Sequence, residues 1–199
     1  MVEERAGMHF EGLDEISSLA LRGEVGNALS VALSHKHEFP PGTHRAIVWR
    51  LAASGKEGVQ AAHEYVRSLK DVDETKLPGD ALYEVITAFA DAADGKVPDS
   101  ELRRLVLNLA HTHVDRLPPE AIPRFVSLVR AESELPELTP DRPNVVLEHV
   151  LHHLAIGKYV TVETLLRKYG NVLSDAHKEI IRQTIDRHLS PLQRIRKLL

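Results

Sequence analysis

The chain has 199 residues, of which 43% are hydrophobic and 27% charged, and its formal net charge is −4. This length suits one buried core or one short repeat array, so a single domain over residues 1–199 is predicted. The negative charge argues against a general nucleic-acid binder, and the absence of cysteine excludes disulfides, thiolate zinc sites and cysteine nucleophiles.

The same features predict a location for the protein. No apolar run approaches the roughly 18 residues that a membrane-spanning helix needs. Residues 1–5 lack the layout of a signal peptide, in which charged residues precede an apolar stretch. Together with the missing cysteine, these observations predict a cytoplasmic protein without a membrane partner.

Apolar residues recur at the three- and four-residue spacing of an amphipathic helix along nearly the whole chain. In chain order the runs are Leu13 to Ala20, Val25 to Leu33, Ile47 to Ala52, Val59 to Leu69, Leu82 to Phe89, Leu102 to Ala110, Ile122 to Val129, Val146 to Leu154, Val162 to Leu166 and Ile180 to Ile185. No stretch alternates with the period of two that a strand would show. The sequence therefore predicts an all-α protein of about nine or ten helices, with Trp49 in the core.

Glycine turns and proline turns alternate between these runs. The glycines that separate two helical runs are Gly23, Gly55, Gly95 and Gly157. Proline turns near residues 40, 78 and 118 each open a helix, because the N–H that proline lacks would be unpaired in the first turn. The alternation predicts antiparallel helix pairs stacked into a short right-handed α-solenoid, with a compact orthogonal bundle as the alternative.

The segment Gly157-Lys158-Tyr159-Val160-Thr161-Val162 resembles the inter-helix turn of tetratricopeptide repeats, which reads glycine, any residue, tyrosine, two more and alanine. The segment Gly23-Glu24-Val25-Gly26-Asn27-Ala28 is similar, with valine in the aromatic position. The tryptophan, the Leu-Gly pair and the roughly 34-residue period of that family are absent. Glycine intervals of 32, 40 and 62 residues lie nearer the spacing of HEAT-like helical pairs. The resemblance implies a helical-repeat architecture, whose surfaces usually bind peptides or other proteins.

Three segments depart from the helical pattern. Residues 1–11 are predicted to form a flexible N-terminus. Residues 132–142 are acidic and contain proline, so they are predicted to form a loop where the series of pairs would require another helix. Pro191 is predicted to break the last helix, which leaves a basic C-terminal tail over residues 190–199.

Histidine is abundant, with 12 copies, and the densest group is His149, His152 and His153. On a helix His149 and His153 are one turn apart, and so are Glu148 and His152, so each pair could hold a metal from one face. An apolar stripe on the opposite face predicts that His149 and His152 face solvent or a partner. The group is a candidate zinc or nickel site that needs a further ligand. The alternative is a polar helix face whose histidines are merely neighbours.

The C-terminal segment from Lys178 to Leu199 is basic, with a balance of +4. Its candidate contacts with nucleic acid or an acidic partner are Arg182, Arg187, Arg194, Arg196 and Lys197. The alternative is a capping helix whose cations complement the acidic remainder of the chain and the negative end of the helix dipole. The apolar end, Leu198-Leu199, leaves room for contacts between copies of the chain.

Motifs for catalysis are missing. His63-Glu64-Tyr65-Val66-Arg67 begins like the zinc-protease motif HExxH but ends in arginine, so the second metal ligand is absent. There is no phosphate-binding P-loop, no G-x-S-x-G and no G-x-G-x-x-G. We therefore predict a non-catalytic protein-interaction or scaffold module without a cofactor, whose partner is another protein or a peptide. Nucleic-acid association through the basic C-terminal segment is the alternative.

Overall fold

A computed structural model describes residues 11–93 and 99–196, with side chains described over residues 12–92 and 100–187. Within these ranges the chain forms ten α-helices and no β-strand, so the predicted all-α class is confirmed. The predicted flexible N-terminus lies outside the described residues, except for Glu11, at which the first helix begins.

The α-helices are α1 (Glu11–Leu21), α2 (Val25–Ser34), α3 (Pro41–Ala53), α4 (Lys56–Ser68), α5 (Gly79–Ala93), α6 (Asp99–Thr112), α7 (Ile122–Val126), α8 (Pro143–Ala155), α9 (Tyr159–Tyr169) and α10 (Asp175–Arg196). Short 3-10 helices occupy Leu69–Asp71, Val114–Arg116, Pro119–Ala121 and Glu132–Glu134. The chain divides into two compact units. Unit 1 covers residues 1–113 and holds α1 to α6, and unit 2 covers residues 114–199 and holds α7 to α10.

Helices that follow one another in unit 1 pack as pairs, α1 on α2, α3 on α4 and α5 on α6. The odd-numbered helices also contact one another in order, α1 with α3 and α3 with α5, and the even-numbered helices do the same. Unit 1 therefore has two layers, with α3 in the middle of the odd-numbered one. Its largest fully buried side chains include Tyr65, Phe39, Phe89, Ile16, Ile47 and Leu51. Burying one such apolar side chain stabilises the fold by about 1.5–3 kcal/mol.

Glycine permits three of the sharp turns between helices. Gly23, Gly55 and Gly157 have φ angles of +79°, +98° and +74°. They lie between α1 and α2, between α3 and α4, and between α8 and α9. A β-carbon disfavours this backbone region, so glycine is the residue that suits these positions. The prediction that these glycines occupy inter-helix turns is confirmed, while Gly95 lies outside the described residues.

Proline marks three of the helix starts. Pro40 is the N-cap of α3, and Pro41 is its first residue. Pro78 immediately precedes α5, and Pro118 caps the 3-10 helix that leads into α7. The predicted proline turns near residues 40, 78 and 118 are confirmed.

Unit 2 is organised around α8, which contacts α7, α9 and α10. Neighbours on several sides leave α8 without a solvated face, and ten of its residues are buried. Its apolar side chains form one core cluster with residues of the surrounding helices, including Ile122, Val162, Leu165, Leu173 and Ile181. Before α8, the chain passes through the 3-10 helix Glu132–Glu134 and then runs without helix from residue 135 to residue 142.

The last helix is longer than expected. α10 continues through Pro191 to Arg196, so the prediction that Pro191 breaks it is wrong. A proline inside a helix removes one N–H donor and crowds one carbonyl, and the helix can continue with its remaining hydrogen bonds. None of the described helices is both long enough and apolar enough to pass through a bilayer.

Candidate functional site

The exposed face of α3 is the candidate site of unit 1. α3 buries one stripe of side chains, namely His44, Ile47, Val48, Leu51 and Ala52. Trp49 lies outside this stripe and is 48% exposed, so the prediction that it belongs to the core is wrong. The physical reason is angular. At about 100° per residue, Trp49 turns away from Val48 and shares the outer face of the helix with Arg45, one turn earlier.

Two arginines flank the exposed indole. The guanidinium carbon of Arg50 lies 5.7 Å from the centroid of the Trp49 ring, a cation–π contact worth about 0.5–1 kcal/mol at an exposed position. Arg45 Nη1 donates to Glu84 Oε2 of α5 at 2.9 Å, and both side chains are exposed. An exposed pair of this kind contributes at most about 1 kcal/mol. These side chains therefore leave the ring accessible, with the guanidinium of Arg50 beside it and the charge of Arg45 offset by Glu84.

Two grooves border α3. One, of about 400 Å³, is lined by residues of α3 and α5, namely Gly42, Arg45, Ala46, Trp49, Arg50, Ala88 and Asp91. The other, of about 570 Å³, lies where the ends of α1 and α3 meet the start of α4, and Leu21, Arg50 and Lys56 line it. Arg50 lines both grooves, so they are neighbours. We call the exposed residues Leu21, Arg45, Trp49, Arg50 and Lys56 the α3 surface.

A buried polar pair lies on the inner side of α3. His44 Nδ1 and the hydroxyl of Tyr65 on α4 share a hydrogen bond of 2.8 Å. The His44 ring meets the ring of Phe39 edge-on at 6.1 Å. Burial lowers the pKa of His44 to about 4, and the charge of nearby His37 acts in the same direction. His44 is therefore neutral at neutral pH, and it joins α3 to α4 beneath the α3 surface.

The histidine group of α8 differs from the prediction. His149 is half-buried, and its Nε2 donates to the carbonyl oxygen of Pro136 at 2.8 Å. His152 and His153 are buried, so the prediction that His152 faces solvent or a partner is wrong. The reason is that α8 has packed neighbours where the sequence pattern placed an open polar face. Burial lowers the pKa of both His152 and His153, which favours their neutral forms.

The three imidazole rings of this group are neighbours. The ring centroids of His152 and His153 lie 5.5 Å apart, and those of His149 and His153 lie 6.3 Å apart. Across the residues that the structure describes, no three His, Asp or Glu side chains are arranged to hold one metal ion. That finding includes the predicted set His149, His152 and His153.

A buried polar network joins α8 to the start of α10. The Asn144 amide donates to the carbonyl oxygens of Val114 and Leu117, and its Oδ1 accepts from His177 Nε2 at 2.8 Å. On the other side of the ring, His177 Nδ1 accepts from the N–H of Ser174 at 3.3 Å and from the Ser174 hydroxyl. Ser174 Oγ in turn accepts from the N–H of His177 at 3.4 Å.

The order of serine, histidine and amide in this network is also the order of a nucleophile, a base and an orienting group. Here Ser174 immediately precedes α10, and His177 lies three residues further on. Their reciprocal side-chain and main-chain hydrogen bonds form a capping box, with histidine in the place of the usual Glu or Gln. The network therefore caps α10 and fixes it to α8.

The basic residues of α10 were the other predicted contacts. Arg182 is exposed, and its Nη1 donates to Glu179 Oε2 at 3.1 Å. Arg187 is exposed as well. The side chains of Arg194 and Arg196, and the whole of Lys197, lie outside the described residues. In the described part of α10, a carboxylate on the same helix thus offsets one of the two predicted cations.

No protein-family model, curated protein or solved structure matches this chain. Its function is therefore argued from the geometry of the molecule. Sequence reasoning placed Trp49 in the core and gave Arg45 and Arg50 no role. The spacing of the apolar residues in α3 could have identified this surface, because Trp49 falls outside the stripe that they form.

Proposed function

We propose that this chain is a non-catalytic protein-interaction module, built as a short helical-repeat array, and that it binds a protein or peptide along the α3 surface. The observation that carries the proposal is the exposed Trp49 ring beneath the guanidinium of Arg50. The alternative, nucleic-acid binding through the basic residues of α10, is tested by a separate measurement of retention on DNA.

The packing of unit 1 supports the repeat architecture. Its three successive helix pairs contact their neighbours layer by layer, odd-numbered helix on odd and even on even. Layered packing of this kind is expected of a solenoid, in which each repeat packs on its neighbours. Glycine turns with positive φ within the first two pairs agree with the resemblance to inter-helix turns of helical repeats. A stack of this kind presents a continuous outer surface on each layer.

The composition of the α3 surface supports its use as a binding surface. Tryptophan and arginine are the residues most enriched among those that carry the binding energy of protein interfaces. An indole contributes most when a partner covers it, because the contact removes a large apolar area from water. The grooves on either side of Arg50 give a partner concave surface next to the ring. Arg50 and Lys56 favour a partner that carries carboxylates, while Glu84 already offsets the charge of Arg45.

Affinity capture with the full chain as bait tests this proposal. Extracts of the cells that naturally carry the gene would be passed over the wild-type chain, the Trp49→Ala variant and a control variant, Tyr159→Ala. Tyr159 is an exposed aromatic residue of unit 2 and is therefore a suitable control. We expect a protein that the wild type and the control retain and that Trp49→Ala loses. With purified components, Trp49→Ala should raise Kd at least about tenfold, equivalent to about 1.4 kcal/mol.

A structural loss must be separated from a loss of binding. Circular dichroism of Trp49→Ala should match the wild type, because a half-exposed side chain contributes little to the core. Equal capture by Trp49→Ala and wild type would contradict the proposal. Retention of the wild type on DNA at low salt, abolished by Arg182→Ala with Arg187→Ala, would instead favour the nucleic-acid alternative.

A further inference from the structure

Unit 2 has an apolar groove of its own. It measures about 470 Å³, and its apolar lining residues are Leu154, Tyr159, Val162, Leu166 and Ile185. These residues come from the end of α8, from one face of α9 and from α10, so the groove lies between α9 and α10 over the end of α8. The groove is long in the direction of α9, because its α9 residues span more than one helical turn.

Exposed apolar side chains stand beside this groove at the start of α9. Tyr159 is 57% exposed, Val160 is 79% exposed, and Ile156 in the preceding turn is also exposed. A single exposed apolar residue needs no explanation, but three within five residues of one another, next to an apolar groove, form a patch that water solvates poorly. We call Ile156, Tyr159 and Val160 the α9 ridge.

We propose that a second copy of this chain covers the groove, with the α9 helices of the two copies antiparallel about a two-fold axis. A two-fold interface uses the same surface on both copies, so that surface must be complementary to itself. The ridge and the groove share one helix, and each copy therefore offers both a projection and a recess. In the antiparallel arrangement the groove-lining faces of the two α9 helices meet at the centre of the interface, and the ridge of each copy lies beside the end of the other copy's α9.

The charges along α9 fit this geometry. Glu163 and Arg167 line the rim of the groove and are exposed, with Arg167 Nη2 donating to Glu163 Oε1 at 2.6 Å. The residues are one turn apart on the same face of the helix. When a second α9 is turned through 180° about an axis that passes midway between Glu163 and Arg167, Glu163 of each copy lies opposite Arg167 of the other. The pairs within each helix thus become a four-charge arrangement of alternating sign, which favours this register.

A partner whose charges all have one sign would fit this rim less well, since the rim carries one carboxylate and one guanidinium on the same face. This inference concerns unit 2 alone and does not depend on the α3 surface.

Analytical ultracentrifugation of the full chain across about 5–200 µM, a range typical of modest interfaces, tests whether the chain self-associates. We expect a mass that rises toward twice the 22.2 kDa of one chain.

Point variants then locate the interface. Val160→Asp should weaken self-association at least tenfold, because it places a carboxylate within the apolar ridge. Leu21→Asp is the control, since Leu21 is an exposed leucine of unit 1 and should leave self-association unchanged. A chain that stays monomeric throughout the concentration range would overturn the proposal, and so would a dimer that Leu21→Asp disrupts and Val160→Asp does not.

Charge reversal tests the antiparallel register. Glu163→Arg alone places like charges at both contacts of the two-fold pair, and Arg167→Glu alone does the same with the opposite sign. Each variant should therefore be monomeric by itself. Mixed together they should form a heterodimer, because each contact then joins Arg to Glu. No recovery on mixing, with both variants folded by circular dichroism, would overturn this register and the self-complementary interface with it.

Discussion

Acidification should destabilise unit 1 through His44, which is buried in its neutral form. The pKa of this imidazole is lowered by burial from 6.5 to about 4. The unfolded chain therefore takes up a proton at a higher pH than the folded chain does. The stability that His44 contributes is fully present above about pH 6.5 and is lost progressively as the pH falls toward about 4.

The size of the loss follows from the difference in pKa. Each unit of difference between the folded and unfolded states corresponds to about 1.4 kcal/mol. Between about pH 7.5 and about pH 4.5, protonation of His44 should reduce the free energy of unfolding by about 2.5 kcal/mol. That is a large fraction of the about 5–15 kcal/mol that stabilises a typical domain.

Trp49 is the only tryptophan and lies on the same helix as His44, so its fluorescence reports on unit 1. Urea unfolding followed by this signal at both pH values gives the pH-dependent part of the stability. His44→Gln removes the titrating group and should lessen the loss on acidification by about 2.5 kcal/mol. His37→Gln replaces a nearby exposed histidine and should retain most of the loss.

The comparison uses only the difference between two pH values for each protein, so a constant destabilisation caused by His44→Gln does not affect it. Other histidines titrate in all three proteins and cancel in the same way. If wild type and His44→Gln lose the same stability on acidification, the buried neutral state of His44 is refuted.

Two further predictions concern stability. Asn144→Ala should destabilise unit 2 by about 3 kcal/mol, because it leaves the carbonyl oxygens of Val114 and Leu117 without their side-chain donor. Urea unfolding followed by circular dichroism would measure the loss of stability, and a loss below about 1 kcal/mol would contradict the network. Gly58→Ala should destabilise unit 1 by about 2 kcal/mol, because the new β-carbon would overlap a main-chain oxygen at the end of α3. Gly26→Ala is its control, since the new β-carbon meets open space and should stabilise α2 by about 0.5–1 kcal/mol in thermal unfolding.

Local chemistry made much of the fold predictable from the sequence. Glycines with positive φ and prolines in first turns act within a few residues, so Gly23, Gly55, Gly157 and Pro41 mark helix boundaries that the structure confirms. The period of apolar residues likewise identified most helices, because one buried stripe is enough to produce it.

The predictions that were wrong concern features that depend on neighbours distant in sequence. Trp49 was assigned to the core from its apolar neighbours in the sequence, but its exposure depends on which side of α3 receives α4. His152 is buried because α8 has packed neighbours on several sides, and no local pattern distinguishes that situation from one buried stripe. The continuation of α10 past Pro191 is a balance between one lost hydrogen bond and the rest of the helix.

The α3 surface can be tested most directly by site-specific photo-cross-linking in the cells that carry the gene. A photoreactive phenylalanine would replace Ala46 or Ala53 on α3, which line the two grooves, and Gln60 or Glu64 on the exposed face of α4. We predict adducts with one protein from both α3 positions and none from the α4 positions. Adducts that form equally on both helices, or on α4 alone, would contradict a binding surface centred on Trp49.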